Sequence, residues 1–354
     1  MSNLEKLGWD EHFFPAIDTD KLARVAAVQR NQYRITDGEN DYIAHVSGRF
    51  LNGTTSILEF PTIGDWVRVD KLMEEGKAVI HQVVPRKSQF IRQAAGEKTE
   101  GQLVAANVDT ILIVNSLNED LNIRRMERYV LAAYESGATP IIVLTKKDEC
   151  TEAVLADAIS EIEEIAIGVP IVALSSLTGE GLNDLLEYVV PKRTAALLGS
   201  SGVGKSTLVN ILLGEEVQTT KAIRSQDSKG RHTTTHRELF QLQSGALLID
   251  TPGMRELQLW EGDHSFNTTF QDVESFVEAC YFTDCRHDTE PGCRVKAAIA
   301  SGELSEQRFQ SYLKLQRELA YEKRKQDQKA QLEEKNKWKQ ISKTMKKRYK
   351  YHKR

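Results

Sequence analysis

A glycine-rich loop at residues 199–207 constrains the fold more than any other feature of the sequence. It matches the pattern G-x-x-x-x-G-K-S/T at every fixed position, between a run that predicts a buried strand and a run that predicts a helix with one apolar face. The alternative is a glycine-rich turn that arises by chance. Such a turn would not require a strand before it and a helix after it, and this sequence predicts both. The loop therefore predicts an α/β domain that binds a nucleoside triphosphate through Gly199, Ser200, Ser201, Gly202, Val203, Gly204, Lys205, Ser206 and Thr207.

The residue types of this loop follow from phosphate chemistry. Glycines let successive backbone N–H groups point into one concavity, and the N-terminus of the following helix favours negative charge. Lys205 is predicted to contact the β- and γ-phosphates, and the Ser206 hydroxyl is predicted to ligate Mg²⁺.

Length and composition limit the remaining possibilities. A chain of 354 residues with 40% hydrophobic content predicts two or three domains with real cores. No segment has the apolar length of a membrane span, and the N-terminus lacks the apolar region of a secretory signal. We therefore expect a cytoplasmic protein with no membrane partner. We also expect it to be a monomer.

Charge is distributed unevenly along the chain. Residues 321–354 contain 14 Lys and Arg against 4 Asp and Glu, a local charge of +10. Because the total is −4, the rest of the chain carries −14. A basic tail favours a polyanionic partner such as RNA, and a solvated or disordered tail is the alternative.

Short strands separated by turns are predicted between residues 22 and 93. Five such strands in about 70 residues are typical of a small barrel of the oligonucleotide/oligosaccharide-binding (OB) type. Arg49, Arg86, Lys87 and Arg92 would supply positive charge for RNA. A barrel that only packs against the nucleotide domain is the alternative. The predicted strands are 22–28, 32–36, 41–46, 64–70 and 77–83.

Strands and helices alternate from about residue 107, which predicts a doubly wound sheet covered on both faces. After its second strand come Thr145, Lys146, Lys147 and Asp148, which resemble the guanine-reading motif N/T-K-x-D. The Asp148 carboxylate can accept two hydrogen bonds from guanine that adenine cannot donate, and the Thr145 hydroxyl can bridge to the phosphate loop. An exposed turn after a strand is the alternative.

Three further segments complete the guanine-nucleotide set. Ser175 and Ser176 begin a segment similar to S-A-K-x-G-x-G-L, whose backbone faces guanine O6, and Thr178 is placed to cap the next helix. A polar stretch from 219 to 236 reads as a switch loop with a Mg²⁺-ligating threonine, either Thr233 or Thr234. Residues 250–253 fit D-x-x-G, so Asp250 would hold Mg²⁺ through water and the Gly253 N–H would contact the γ-phosphate.

The order of these motifs is rotated. The base-reading segments precede the phosphate loop, whereas in a Ras-like domain they follow it. Rotation preserves the sheet if the old termini are joined.

A second kind of site is predicted near the C-terminus. The spacing C-x-x-x-x-C-x-H-x-x-x-x-x-C offers three thiolates and one imidazole, which complete a closed tetrahedral zinc site. Isolated residues of these types would more often be surface histidines or buried thiols. The predicted ligands are Cys280, Cys285, His287 and Cys293.

The rotated motifs, the upstream barrel and this cluster together resemble the circularly permuted small-ribosomal-subunit biogenesis GTPases (RsgA, also called YjeQ). The resemblance implies GTP hydrolysis that the small (30S) ribosomal subunit stimulates, late in its maturation. It also implies that the barrel and the zinc domain dock on ribosomal RNA. The expected organisation is an extension at 1–20, an OB-type barrel at 21–95, a permuted GTPase domain at 96–258, a mostly helical zinc domain at 259–320 and a basic tail at 321–354.

The catalytic expectation starts from Met254, which stands where Ras-like enzymes place a water-orienting glutamine. An apolar side chain cannot orient water, so intrinsic turnover should be slow. His232 is the candidate for orienting the water instead, and an RNA contact is its alternative role. Lys205 and Thr234 are the other two residues expected to act in catalysis. An ATPase or small-molecule kinase, and a non-enzymatic RNA-binding scaffold, are the competing functions.

Overall fold

The computed structural model describes residues 2–11, 18–29, 32–93, 101–118, 121–200, 202–214, 238–250, 269–288, 290–317, 319–321 and 324. These residues form two compact units, one ending at Thr269 and the other beginning at Phe270. Within the described ranges, no helix combines the length and apolar character needed to cross a bilayer.

A closed five-stranded barrel forms the first part of the larger unit. Its strands are β1 (Leu22–Gln29), β2 (Gln32–Thr36), β3 (Asp41–Val46), β4 (Trp66–Leu72) and β5 (Lys77–Val83). The pairing runs β1-β2-β3-β5-β4 and closes between β4 and β1, with β3 and β5 parallel. Burial alternates along β3 and β4, as expected when one face of a strand lines a barrel core. The predicted OB-type barrel is confirmed.

The described N-terminal residues pack on this barrel. Helix α1 (Asn3–Lys6) is followed by Trp9, which is buried and meets Trp66 of β4 edge to face, with ring centroids 4.9 Å apart. The buried Arg24 guanidinium donates to the Leu7 carbonyl. Helix α2 (Gly48–Gly53) lies between β3 and β4.

The predicted nucleotide domain continues the same sheet. Its elements are β8 (Thr110–Ser116), α3 (Ile123–Glu135), β9 (Thr139–Thr145), α4 (Glu152–Ile165), β10 (Ile171–Ala173), α5 (Leu182–Leu186), β11 (Thr194–Leu198), α6 (Lys205–Leu213), β12 (Glu238–Gln241) and β13 (Leu247–Asp250). Parallel strands run in the order β10-β9-β8-β11-β13, and the antiparallel β12 lies between β13 and the barrel strand β1. Helices α3 and α4 cover one apolar face, and α5 and α6 cover the other. The predicted doubly wound sheet is therefore confirmed.

A two-stranded hairpin, β6 (Gln89–Gln93) with β7 (Gly101–Ala106), links the barrel to the nucleotide domain and was not predicted. The smaller unit is helical. It contains α7 (Gln271–Glu278), α8 (Arg294–Ser301) and a further helix, α9, with described residues at 306–317 and 319–321. Its core includes Phe270, Val273, Val295 and Tyr312.

Candidate nucleotide site and candidate metal centre

The phosphate loop lies between β11 and α6, at the carboxyl edge of the parallel strands. Gly199 allows the loop to pass close to β8, because a Cβ atom there would lie 2.2 Å from the Val114 carbonyl oxygen. Gly204 has φ +90°, in the left-handed region, and N-caps α6. The Lys205 ammonium donates to the carbonyl of Gly199, at 2.7 Å, and to that of Ser200.

The base-reading turn is joined to this loop. The buried Thr145 hydroxyl lies 2.7 Å from the Val203 carbonyl oxygen and 3.2 Å from that of Asn115. One hydroxyl proton serves one acceptor, and the shorter distance assigns it to Val203. The predicted bridge from Thr145 to the phosphate loop is therefore confirmed.

Asp148 is displayed by a tight turn directly after β9. Lys146 adopts a left-handed conformation with φ +62°, and residues Lys147–Glu149 form a single 3₁₀ turn. The turn leaves Asp148 exposed at the edge of the sheet that also carries the phosphate loop. An exposed carboxylate at a strand end is free to accept hydrogen bonds from a ligand.

The second base-reading segment is tied to the first. The Lys147 N–H donates to the Leu174 carbonyl at 3.1 Å. The buried Ser175 hydroxyl accepts the N–H groups of Leu177 and Thr178, at 3.2 and 3.1 Å. These bonds hold the backbone after β10 in a fixed loop beside the Asp148 turn.

An ion pair that was not predicted closes this region. Lys147 Nζ lies 2.7 Å from a carboxylate oxygen of Glu180, and this hydrogen bond raises the pKa of Lys147. The opposite charges of these two side chains, one in each base-reading segment, were the sequence signal that could have predicted the ion pair.

A smaller expectation was wrong: Thr178 does not cap α5, whose N-cap is Gly181, and its hydroxyl instead accepts the Glu180 N–H at 3.4 Å.

The remaining predicted nucleotide residues divide into two groups. Ser206 and Thr207 are exposed at the start of α6, and Asp250 ends β13, the strand beside β11. Ser206 and Asp250 thus offer oxygen atoms at the edge where the phosphate loop lies, and oxygen is the donor that Mg²⁺ prefers. The others lie outside the described residues: Ser201, His232, Thr233, Thr234 and Gly253.

The four predicted metal ligands come together. One ligand atom from each of them lies within 4.8 Å of the others. His287 directs Nδ1 toward the cluster, 3.6 Å from Sγ of both Cys280 and Cys293. Cys293 is the N-cap of α8, which fixes one sulfur on a helix. Cys150 lies apart from this group, as predicted.

The protonation of these groups suits a cation. Burial lowers the pKa of His287, which favours the neutral imidazole that ligates metals. Burial alone would raise the pKa of Cys280, but N–H donors from Val295 and Arg294 outweigh it and lower that pKa. Burial raises the pKa of Cys285 to about 11, so an ion bound here would have to displace the Cys285 proton. Three thiols and one imidazole at this spacing fit a structural zinc ion.

The barrel uses part of its predicted RNA-binding charge internally. Arg86 forms two hydrogen bonds with the buried Asp65, at 2.7 and 2.8 Å, and Lys87 contacts Asp109 at 2.7 Å. Arg49 is exposed on α2, and the side chain of Arg92 is not among those that the structure describes. Two of the four cations are therefore structural.

A family model described as "RsgA GTPase" matches residues 83–260, half of the chain. A relative from Oceanobacillus iheyensis, named "Small ribosomal subunit biogenesis GTPase RsgA 1", is 46% identical over 329 residues, covering 93% of each chain. The chain belongs to the RsgA GTPase family.

Other RsgA relatives are similar over most of their length. One from Lactiplantibacillus plantarum is 44% identical, covering 85% of this chain and 84% of its own. Among solved structures, YjeQ from Thermotoga maritima has a TM-score of 0.63 and 28% identity, covering 85% of this chain and 98% of its own. YloQ, titled a circularly permuted GTPase, shares the fold with a TM-score of 0.61 and 24% identity.

A second family model, described as "50S ribosome-binding GTPase", matches residues 194–340. Its match begins at β11, whereas the RsgA match includes the base-reading segments before that strand. In this chain the base-reading segments precede the phosphate loop, an order that fits the circularly permuted GTPase among the solved structures.

Proposed function

We propose that this chain is a GTP hydrolase that binds the small ribosomal subunit and assists its late maturation, with hydrolysis stimulated by the subunit. One observation carries the nucleotide part. Thr145, in the base-reading turn, is hydrogen-bonded to Val203 of the phosphate loop, 58 positions away in the sequence. The names of the relatives support the ribosomal part.

Guanine selection is assigned to the turn after β9. The Asp148 carboxylate would accept hydrogen bonds from guanine N1–H and N2–H₂, and the Lys146 stem would lie along the base. The backbone at Ser175 and Ser176 would face guanine O6. The exposure of Asp148 and the bonds that order the second segment support this assignment.

Phosphate transfer is assigned to the opposite side of the site. Bound Mg²⁺ would neutralise charge on the phosphates, with oxygen donors from Ser206, Asp250 and either Thr233 or Thr234. Lys205 would leave the carbonyls of its own loop to contact the β- and γ-phosphates. His232 is proposed to position the attacking water, with the Gly253 N–H on the γ-phosphate.

The remaining regions are assigned to structure and docking. A zinc ion held by Cys280, Cys285, His287 and Cys293 would order the helical unit. We propose that the domains end at residues 20, 95, 258 and 320. RNA contacts are assigned to the barrel, the zinc domain and the basic tail. A cytoplasmic monomer is the proposed state.

Phosphate release is the test. It is measured with GTP and with ATP, alone and with purified small or large ribosomal subunits. We expect slow GTP turnover alone and on the order of 10³–10⁵-fold stimulation when a partner completes the site. Stimulation by large subunits alone would overturn the small-subunit assignment. Equal turnover of ATP would instead favour an ATPase, and no turnover in any mixture would favour a scaffold.

A further inference from the structure

Strand β12 belongs to the nucleotide domain and to the barrel at the same time. Glu238, its first residue, pairs with Asp250 of β13 on one side and with Ala27 of β1 on the other. Ala27 in turn pairs with Arg34 of β2. A single row across four strands therefore runs Arg34, Ala27, Glu238, Asp250.

A side-chain contact spans this row. Arg34 Nη2 donates to Glu238 Oε1, across the intervening strand β1. Residues directly opposite in a sheet present their side chains on the same face, and alternate strands lie about 9–10 Å apart. The small side chain of Ala27 leaves room for the two long side chains to meet above it. The contact is partly shielded, since the Arg34 and Glu238 side chains are 32% and 25% exposed.

The row ends at the nucleotide site. Asp250 is the residue proposed to hold Mg²⁺ through water, and β13 lies beside β11, which leads into the phosphate loop. A shift of β12 by one residue would turn Glu238 to the other face and break both the ion pair and its pairing with Asp250. The ion pair thus favours the register in which Glu238 lies opposite Asp250.

We propose that Arg34, a barrel residue, is a positioning residue for the Mg²⁺–nucleotide site. Through Glu238 it holds β12 and β13 so that the Asp250 carboxylate stands at the height of the phosphate loop. The barrel is then part of the GTPase machinery, and a partner that displaces Arg34 would alter the nucleotide site. The identity of the ion rests on the proposed function, whereas the fixing of the strands does not.

The test compares Arg34→Ala, Glu238→Ala, the double variant and the exchanged pair Arg34→Glu/Glu238→Arg. The readouts are the release rate of a fluorescent GDP analogue with and without Mg²⁺, and deuterium uptake by amides 238–250. In the unaltered protein, Mg²⁺ should slow the release of the GDP analogue. Each single variant should weaken this effect of Mg²⁺ about three- to tenfold. Each should also raise deuterium uptake by amides 238–250. The double variant should lose no more than either single one, and the exchanged pair should recover most of the effect.

Lys71→Ala is the matched control. It removes another shielded cation of the barrel, paired with Asp37 at 2.9 Å, that does not contact β12. It should leave both readouts unchanged. Variants that behave like the unaltered protein, or an exchanged pair that recovers nothing, would overturn the role of Arg34. If the unaltered protein binds no guanine nucleotide, the proposed function fails and deuterium uptake alone decides whether Arg34 fixes the strands.

Discussion

The two units of this molecule are ordered by different means. The larger unit carries an eleven-stranded sheet with extensive apolar clusters on both faces of its nucleotide domain. The smaller unit buries a short set of side chains beside a Cys₃His cluster. Burial of apolar surface is sufficient to stabilise the first, whereas small loop-rich regions usually need a metal or disulfides.

This difference predicts which of the two regions depends on a bound ligand for its order. The described residues of the phosphate loop and the base-reading turn lie at the edge of a packed sheet, so they are held by strands that do not require a ligand for order. The Cys₃His cluster lies on a turn and a helix end, where a bound ion would supply order that a short set of buried side chains does not. Experiments can therefore separate the two regions.

Removal of zinc should produce the largest effect, and only in the smaller unit. Chelation, or Cys280→Ala, forfeits metal-linked folding free energy of roughly 10 kcal/mol or more. Deuterium exchange should then become fast across residues 270–317 and remain slow across β8, β9 and β11. Cys150→Ala, outside the cluster, is the control. Protection of residues 270–317 that survives complete metal removal would show that burial alone orders both units.

Acid should weaken the larger unit through Asp109. Burial alone would raise the pKa of this carboxyl, but Lys87 and the donors of Thr194 and Arg193 outweigh burial and lower it. A carboxyl whose pKa is lower in the folded state adds stability above its unfolded pKa of about 4, and this is lost as pH falls through the folded value.

Asp109→Asn should therefore lower the free energy of unfolding by about 2–3 kcal/mol at pH 7, because buried donors lose a charged acceptor. The loss should be smaller at pH 3, measured by urea denaturation. Asp70→Asn removes an exposed carboxylate paired with His81 and should change stability by less than about 0.5 kcal/mol. Equal losses for both variants at pH 7 would contradict the role given to burial.

Lys205→Ala should affect binding without affecting the fold. Loss of a charged donor to the phosphates should weaken GTP binding about 10- to 100-fold, with the thermal midpoint unchanged. Lys192→Ala, close to the other end of β11 and paired with Glu5 at 3.4 Å, is the matched control for calorimetric titration. Unaltered GTP affinity in Lys205→Ala would place the phosphates elsewhere.

Thr145→Val should give the smallest effect. It removes the hydroxyl that joins the base-reading turn to Val203 and leaves a buried carbonyl without this donor. We expect GTP binding to weaken about two- to tenfold, whereas Thr145→Ser should retain the affinity of the unaltered protein. Equal loss in both variants would mean that shape, and not the hydrogen bond, is what matters at this position.

Local patterns predicted most elements of the larger unit. Short runs separated by turn residues marked the barrel strands, continuous apolar runs marked β8 and β9, and ligand spacing marked the metal cluster. The bridge from Thr145 to the phosphate loop followed from motif chemistry alone. These features depend on residues close in the sequence or on motifs with fixed roles.

Contacts between distant segments were harder to predict. The pairing of β1 with β12, the ion pair of Lys147 with Glu180 and the buried Arg24 depend on which strands become neighbours. Arg24 reads as a surface residue in a strand, yet its guanidinium donates to Gly64, Asn107 and Thr194 and becomes part of the core. Burial lowers its pKa to about 10. No local pattern indicates such a partner set.

The most direct test of the central claim is calorimetric titration of Asp148→Asn with GTP and with xanthosine triphosphate, each with Mg²⁺. If Asp148 reads guanine beside the phosphate loop, this variant should lose about 100-fold in GTP affinity and gain affinity for the xanthine nucleotide. The unaltered protein should bind GTP and not ATP. GTP affinity that is unchanged by Asp148→Asn would contradict the account.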